Sequence, residues 1–265
     1  MYCIMRYVSQ YLNDDNNKYM SLNIVRDLSV SSTRCDDLIK SSDLIISQHM
    51  YSKDRDYSDE RIKSLAKCNI IYVHCLYFTG YFPDIALNLA GMRSIMSPTF
   101  PRYETPYLDS LILQNLSNEK ILEELNIKFN TEFVIINLNK TLNNLHERED
   151  GCNGFNRIDV PIYDFIKNNY HKHHIFWCVN HPSNYMLNYY SSKIASYILN
   201  RDILFNKDIL CLKELLGSYS TPIYDSVKSI LKLEFSTEYS NTIIKQKITF
   251  FEYIEILRES MMITE

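Results

Sequence analysis

The chain has 265 residues, 46% of them hydrophobic, and a formal net charge of -4. That length and apolar content suit one large folded domain, or one with a helical appendage, and the modest charge gives no argument for a general electrostatic binder of nucleic acid. Seven cysteines without a CxxC pair argue against a zinc or redox motif, and with no signal peptide they favour free thiols in the cytoplasm.

Met5, Val8 and Leu12 fall at helical spacing, so the chain is expected to open in a helix. Leu22 to Val25 reads as a short strand and Thr33 to Ile39 as one or two helical turns. Asp43 to Gln48 reads as a buried strand. Ser58 begins a helix that carries Asp59 and Glu60 in its first turn, where the helix dipole favours acids, and that ends near Lys67. Asn69 to Leu76 is apolar and β-rich, again a buried strand. The longest apolar run, Ile70 to Phe78, contains His74 and is too short to span a bilayer.

This alternation points to parallel βαβ units with ligand groups at the carboxyl ends of the strands. Pro98, Pro101 and Pro106 mark an irregular crossing. Helices are expected over Leu108 to Leu116, Glu119 to Leu125 and Phe133 to Leu145, the last stopped by a turn at residues 151–154. Another helix closes over Asp164 to Asn168. Ile175 to Val179 is a short strand running into Asn180-His181-Pro182-Ser183-Asn184. A long amphipathic helix follows, with Met186, Leu187, Tyr190, Ile194, Tyr197 and Ile198 on one face and Pro182 in its first turn. Helices around Ile209 to Leu216, Ser226 to Leu231 and Phe250 to Leu257 fill a mainly helical tail of about sixty residues. The fold class is therefore α/β, a three-layer sandwich of SGNH/flavodoxin-like type. It has a small parallel central sheet under extensive helical cover, in a single domain over residues 1–265.

Several strings, in order, resemble the WcbI-like family of capsular-polysaccharide biosynthesis proteins, regarded as CoA-using acetyltransferases. They are Ser47-Gln48, Tyr77-Phe78-Thr79-Gly80-Tyr81-Phe82-Pro83-Asp84, Arg148-Glu149, and Phe176 to Asn184 with its Asn-His-Pro turn. The family pattern begins with a strand ending in Gly-Asn-Cys-Gln. Here Tyr2-Cys3-Ile4 stands in that place without the preceding strand, so an N-terminally truncated or degenerate copy is expected. The resemblance implies acetyl transfer from CoA to a sugar hydroxyl in capsule or surface-glycan synthesis. The partners it implies are CoA and a sugar or glycan acceptor; spacing, charge and run length add the expectation of no metal, no nucleic acid and no integral membrane segment.

The family looks related to the SGNH-type hydrolases, whose logic puts Cys3 at the nucleophile position. A helix N-terminus lowers a thiol's pKa; the plainer alternative is a small apolar residue at a chain end. His181 would serve as general base, or else cap the next helix. Asn180 and Asn184 would orient it or donate to an oxyanion, unless they are helix caps. Cys3 would act as a covalent relay or as part of the thioester pocket. Gln48 and Gly80 are expected to line the pocket, with Tyr77, Phe78 and Tyr81 on the adenine or pantetheine arm, or simply in the core. Lys53 and Arg55, with Arg6 and Arg93 behind them, are the candidate phosphate ligands. Asp43 or Asp84 would supply a carboxylate for His181. His171, His173 and His174 with Cys178 fit no standard zinc set and read as a solvated loop. Two other readings stand beside transfer: an SGNH-like esterase or thioesterase, and a non-catalytic family member.

Overall fold

A computed structural model of the chain describes residues 2–12, 32–48, 58–85, 87–88, 91–92, 94–95, 102–151, 156–205, 213–217, 220–236, 239–240 and 247–262. After α1 (Tyr2–Leu12) come α2 (Ser32–Ser41), β1 (Leu44–Gln48), α3 (Asp59–Leu65) and β2 (Asn69–Val73). Two-residue strands follow: β3 (Leu87–Asn88) pairs with β4 (Gly91–Met92), and β5 (Ser94–Ile95) with β6 (Arg102–Tyr103). Then come α4 (Pro106–Leu113), α5 (Asn118–Lys128), α6 (Thr131–Glu149) and α7 (Tyr163–Asn169). β7 (Phe176–Cys178), β8 (His181–Pro182) and α8 (Asn184–Leu199) precede the tail. The tail holds α9 (Asp225–Ile230), β9 (Tyr239–Ser240), β10 (Lys247–Ile248) and α10 (Phe250–Met262). The expected α/β class, a small parallel sheet with many helices, is what the chain forms; the strand expected over Leu22 to Val25 lies outside the described residues.

The chain divides into two compact units. The first comprises Met1–Cys75, Asn144–Phe165 and Leu187–Cys211; the second comprises Leu76–Asn143, Ile166–Met186 and Leu212–Glu265.

In the first unit β1 and β2 run parallel, in register from Leu44 opposite Asn69 to Gln48 opposite Val73. The crossover helix α3 starts where Ser58 Oγ accepts the Arg61 N–H at 3.3 Å, the expected cap. Its Ile62 packs with Cys35 and Ile39 of α2 against Ile45 and Ile70 of the strands. β2 also bridges Val160 in parallel, and its ladder stops at Val73 rather than at Leu76. The reason is local: the next N–H, of His74, donates to the Tyr190 hydroxyl at 2.7 Å instead of to a strand. α1 meets α8 at Ser191, whose Oγ donates to the Ile4 carbonyl, and buries Ile4, Tyr7 and Val8.

Aromatic packing builds the second unit. Phe78 meets Tyr81 edge-on at 4.9 Å and stacks on Phe176 at 5.7 Å, all three rings fully buried. Burying each such side chain stabilises the fold by roughly 1.5–3 kcal/mol. Gly80 is required by this packing, since a Cβ there would stand 2.8 Å from Phe78 Cε1. Asp84 accepts the N–H groups of Tyr107 and Leu108 at 3.0 and 2.9 Å, and the Tyr224 hydroxyl at 2.9 Å. It thereby starts α4 at Pro106, ahead of the expected Leu108, with Pro in the first turn. In the tail, residues 213–216 are not helical where a helix was expected, and residues 209–212 lie outside the described residues.

Among the histidines expected in a solvated loop, His174 is a correction. Its ring stacks on Phe235 at 4.8 Å and 11°, with Trp177 at 4.2 Å, and Nε2 is enclosed with no hydrogen-bond partner among the described residues. Burial holds the imidazole neutral, its pKa lowered from 6.5 to about 4. The unfolded chain therefore takes up a proton before the folded one does. Stability falls as pH drops from 6.5 toward 4, by about 3 kcal/mol over that window. Urea unfolding from pH 7.5 down to 4 is expected to show this slope in the native chain and a flatter one in His174→Phe, which keeps the ring stack. Equal slopes would remove the assignment.

Candidate functional site

The Asn180-His181 turn belongs to the second unit. β7 pairs antiparallel with β8, setting Cys178 opposite His181 and Phe176 opposite Pro182. Neighbouring backbone clamps the hairpin: Phe78 N–H donates to Val179 O at 2.8 Å and Thr221 N–H to Trp177 O at 2.9 Å. Pro182 thus lies in a strand, not in the first turn of α8 as expected. Ser183 N–H is drawn to Ile175 O at 3.0 Å, and the helix begins only at Asn184. His181 is half-buried on this short pairing. Asn180 Oδ1 accepts the Tyr103 hydroxyl at 2.9 Å and the Cys178 thiol at 3.3 Å. Burial pushes that thiol's pKa up to about 12, so Cys178 supplies no nucleophilic thiolate near neutral pH.

The start of α8 is latched by the tail. Asn184 is fully buried; its N–H donates to Glu214 Oε2 at 2.7 Å, its Nδ2 donates to Lys213 O at 3.2 Å and its Oδ1 accepts the Leu215 N–H at 3.1 Å. Trp177 Nε1 also donates to Glu214, at 3.1 Å. Burial raises the Glu214 carboxyl above its ordinary pKa, while the Asn184 and Trp177 donors pull against it. Asn184 is therefore the structural clasp of residues 213–215, and this clasp replaces the helix expected there. Asp84, one of the two carboxylates considered for His181, accepts with both oxygens from the start of α4 and from Tyr224.

The first unit holds a second polar cluster. His74 and Glu149 are 1% and 9% exposed, and His74 Nε2 lies 3.0 Å from Glu149 Oε1. The same oxygen accepts the N–H of Ile162 and, at 2.7 Å, that of Tyr163 at the start of α7. A carboxylate cannot donate, so Nε2 carries the proton. Gln48 Nε2 donates to the His74 carbonyl at 3.1 Å, and the Tyr190 hydroxyl donates to Val160 O at 2.9 Å. Burial opposes the charge on Glu149, but its donors prevail and its pKa is lowered.

The other expected residues divide plainly. Cys3 lies in the first turn of α1. Gln48, half-buried, ends β1 as expected, and Tyr77 is half-buried. Phe78 and Tyr81 have no exposed surface, so of the two readings for these rings the core position is the one they occupy, and Gly80 makes room for the Phe78 ring. Lys53 and Arg55 lie outside the described residues. Sequence reasoning missed His74, Glu149 and Glu214 as paired groups; the one available sign was a histidine inside an apolar strand run. Among the described residues no group of three or more His, Cys, Asp and Glu is disposed to hold a metal ion, and no helix is long and apolar enough to cross a membrane.

The family described as Polysaccharide biosynthesis enzyme WcbI matches residues 5–199. Among solved structures the chain is similar to that of WcbI, described as a novel polysaccharide biosynthesis enzyme, native protein without a disulfide bond between coenzyme A and a cysteine. The TM-score is 0.69 at 19% identity, covering 89% of this chain and 78% of that one, which is a likeness of fold. No curated protein matches the sequence.

Removing the Glu149 carboxylate strands His74 and two backbone donors in a buried site. Glu149→Ala is expected to cost about 3–5 kcal/mol at pH 7. Because the folded pKa is depressed, this contribution is complete above the ordinary value of 4.5 and is lost as pH falls through the folded value. Unfolding at pH 7 and at steps toward pH 3.5 should show the gap between native and variant narrowing; a gap independent of pH contradicts the charge assignment.

Proposed function

The chain belongs to the WcbI family of polysaccharide biosynthesis enzymes, and on that premise we propose that it transfers an acetyl group from acetyl-CoA to a sugar hydroxyl. The observation that carries this reading is His181, half-buried on a clamped strand pair just ahead of α8. Rigid backbone around a histidine is what general-base catalysis needs, because the proton must be met at hydrogen-bond distance. The coenzyme A named for the similar solved structure supports the choice of acyl donor.

In the proposed step His181 takes the proton of the acceptor hydroxyl as its oxygen attacks the thioester carbonyl carbon. The carbon–sulfur bond then breaks, and the imidazolium returns the proton to the leaving CoA thiolate. Asn180 has Oδ1 committed to Tyr103 and Cys178, so its Nδ2 is the end suited to donate to the developing oxyanion. Cys3, in the first turn of α1, is assigned either a relay role, accepting the acetyl group as a thioester before the sugar does, or a place in the thioester pocket. Gln48 and Tyr77 are assigned to CoA, with Lys53 and Arg55 on its phosphates.

His181→Ala is expected to lower acetyl transfer by about 10²–10⁴-fold with unchanged circular dichroism and unchanged acetyl-CoA affinity. The measurement is CoA thiol release in the presence of a panel of saccharide acceptors, with calorimetric titration of acetyl-CoA alongside. Full activity in the variant removes His181 from the chemistry. Acetate release without any acceptor would show a thioesterase instead.

A further inference from the structure

We infer, on the reading above that a glycan is the acceptor, that the first unit carries a groove for a neutral oligosaccharide along residues 157–164 and the outer turns of α8. Two open cavities of about 560 and 650 Å³ adjoin there and share Asp159, Pro161 and Asp164 in their walls. Each is walled by a stacked aromatic pair. His146 and Tyr163 stack at 4.8 Å and 19° in one, and Phe165 and Tyr189 at 3.5 Å and 12° in the other. Tyr197, 50% exposed, adds a ring to the second.

The groove is built before any ligand arrives. Asp159 Oδ2 accepts the Tyr72 N–H at 2.7 Å, the Asp159 N–H donates to Tyr72 O at 2.9 Å, and Glu149 holds the N–H groups of Ile162 and Tyr163. The opposite rim is set by Ser196: its carbonyl accepts the Arg201 N–H at 3.2 Å and its hydroxyl the Ile203 N–H at 2.9 Å, with Asn200 left-handed at φ 48° between them. The backbone that carries Arg201 and Asp202 is thereby held on the rim, with both side chains exposed.

The chemistry matches a pyranose chain. A sugar ring offers an apolar C–H face that packs on aromatic rings and a rim of hydroxyls that both donate and accept. The groove answers with rings, with the carboxylates of Asp164 and Asp202 as acceptors, and with the Lys193 and Arg201 cations as donors. Carboxylates outnumber cations in both cavities, so phosphate or uronate groups are repelled and a neutral saccharide is preferred. Adjoining cavities with a shared wall suit several sugar residues in line rather than one.

The test is a glycan array carrying neutral, amino-sugar and uronic-acid oligosaccharides of bacterial type, probed with the full chain. Calorimetry with the best-bound free oligosaccharide and with acetyl-CoA follows. Neutral oligosaccharides should bind, longer ones more tightly, and the exposed double variant Asp164→Ala/Tyr197→Ala should weaken them about tenfold or more while acetyl-CoA affinity is unchanged. Arg201→Ala gives a second, independent surface variant and should weaken them too. Binding of none, binding of uronates alone, or affinity untouched by either variant overturns the groove. Acetyl-CoA binding with no glycan binding defeats the groove and spares the transfer reading; glycan binding without acetyl-CoA binding does the reverse.

Discussion

One oxygen of Glu149 gathers His74 Nε2 and the N–H groups of Ile162 and Tyr163, and the first unit is organised around that point. It ties the last turn of α6 to the residue after β2 and to the start of α7. Desolvation alone would make the carboxyl neutral; three donors on one oxygen reverse that, so the charge is kept where water is not. The neighbouring bonds follow from the same point. With residues 162–163 held, Val160 can bridge Val73 and Asp159 can pair both ways with Tyr72, which widens a two-stranded parallel sheet by one more edge.

The second unit solves the same problem with other groups. Asp84 closes the start of α4, and Glu214 with Asn184 closes the start of α8. In each case a buried polar group is spent on helix-end N–H donors that would otherwise be orphaned. The aromatic core between them is close-packed, since Phe78 folds back over Gly80 and leaves no room at its Cα. The β7–β8 pair that presents His181 packs on that core through Phe176, which stacks on Phe78.

Local chemistry in the sequence carried the elements well. Ser58 followed by Asp59 and Glu60 marks a helix start because the cap and dipole act within one turn, and the apolar runs of β1 and β2 are readable for the same short-range reason. The ordered strings around Gln48, Gly80, Glu149 and His181 were enough to place the family. What stayed hidden is pairing over distance. His74 and Glu149 are 75 residues apart, and nothing in either neighbourhood marks the other. Phe78 and Tyr81 illustrate a different limit: an aromatic string at a strand end has the same composition whether it lines a pocket or fills a core, and only packing distinguishes them. Of the helix expected over Ile209 to Leu216 only residues 213–216 are described, and there the carboxamide of Asn184 takes backbone groups of residues 213 and 215, a pairing invisible in the local pattern.

That carboxamide has a consequence for the chemical ageing of the protein. One end of Asn184 must donate, to Lys213 O, and the other must accept, from Leu215 N–H, so neither leucine's shape nor aspartate's charge can replace it. Spontaneous deamidation would turn the donor into a second oxygen facing a carbonyl, beside the Glu214 carboxylate already bonded to the Asn184 N–H. A lesion of one atom would thus unfasten the first turn of α8 from the tail. Complete burial keeps water from that amide, and the long-term integrity of the helix rests on it.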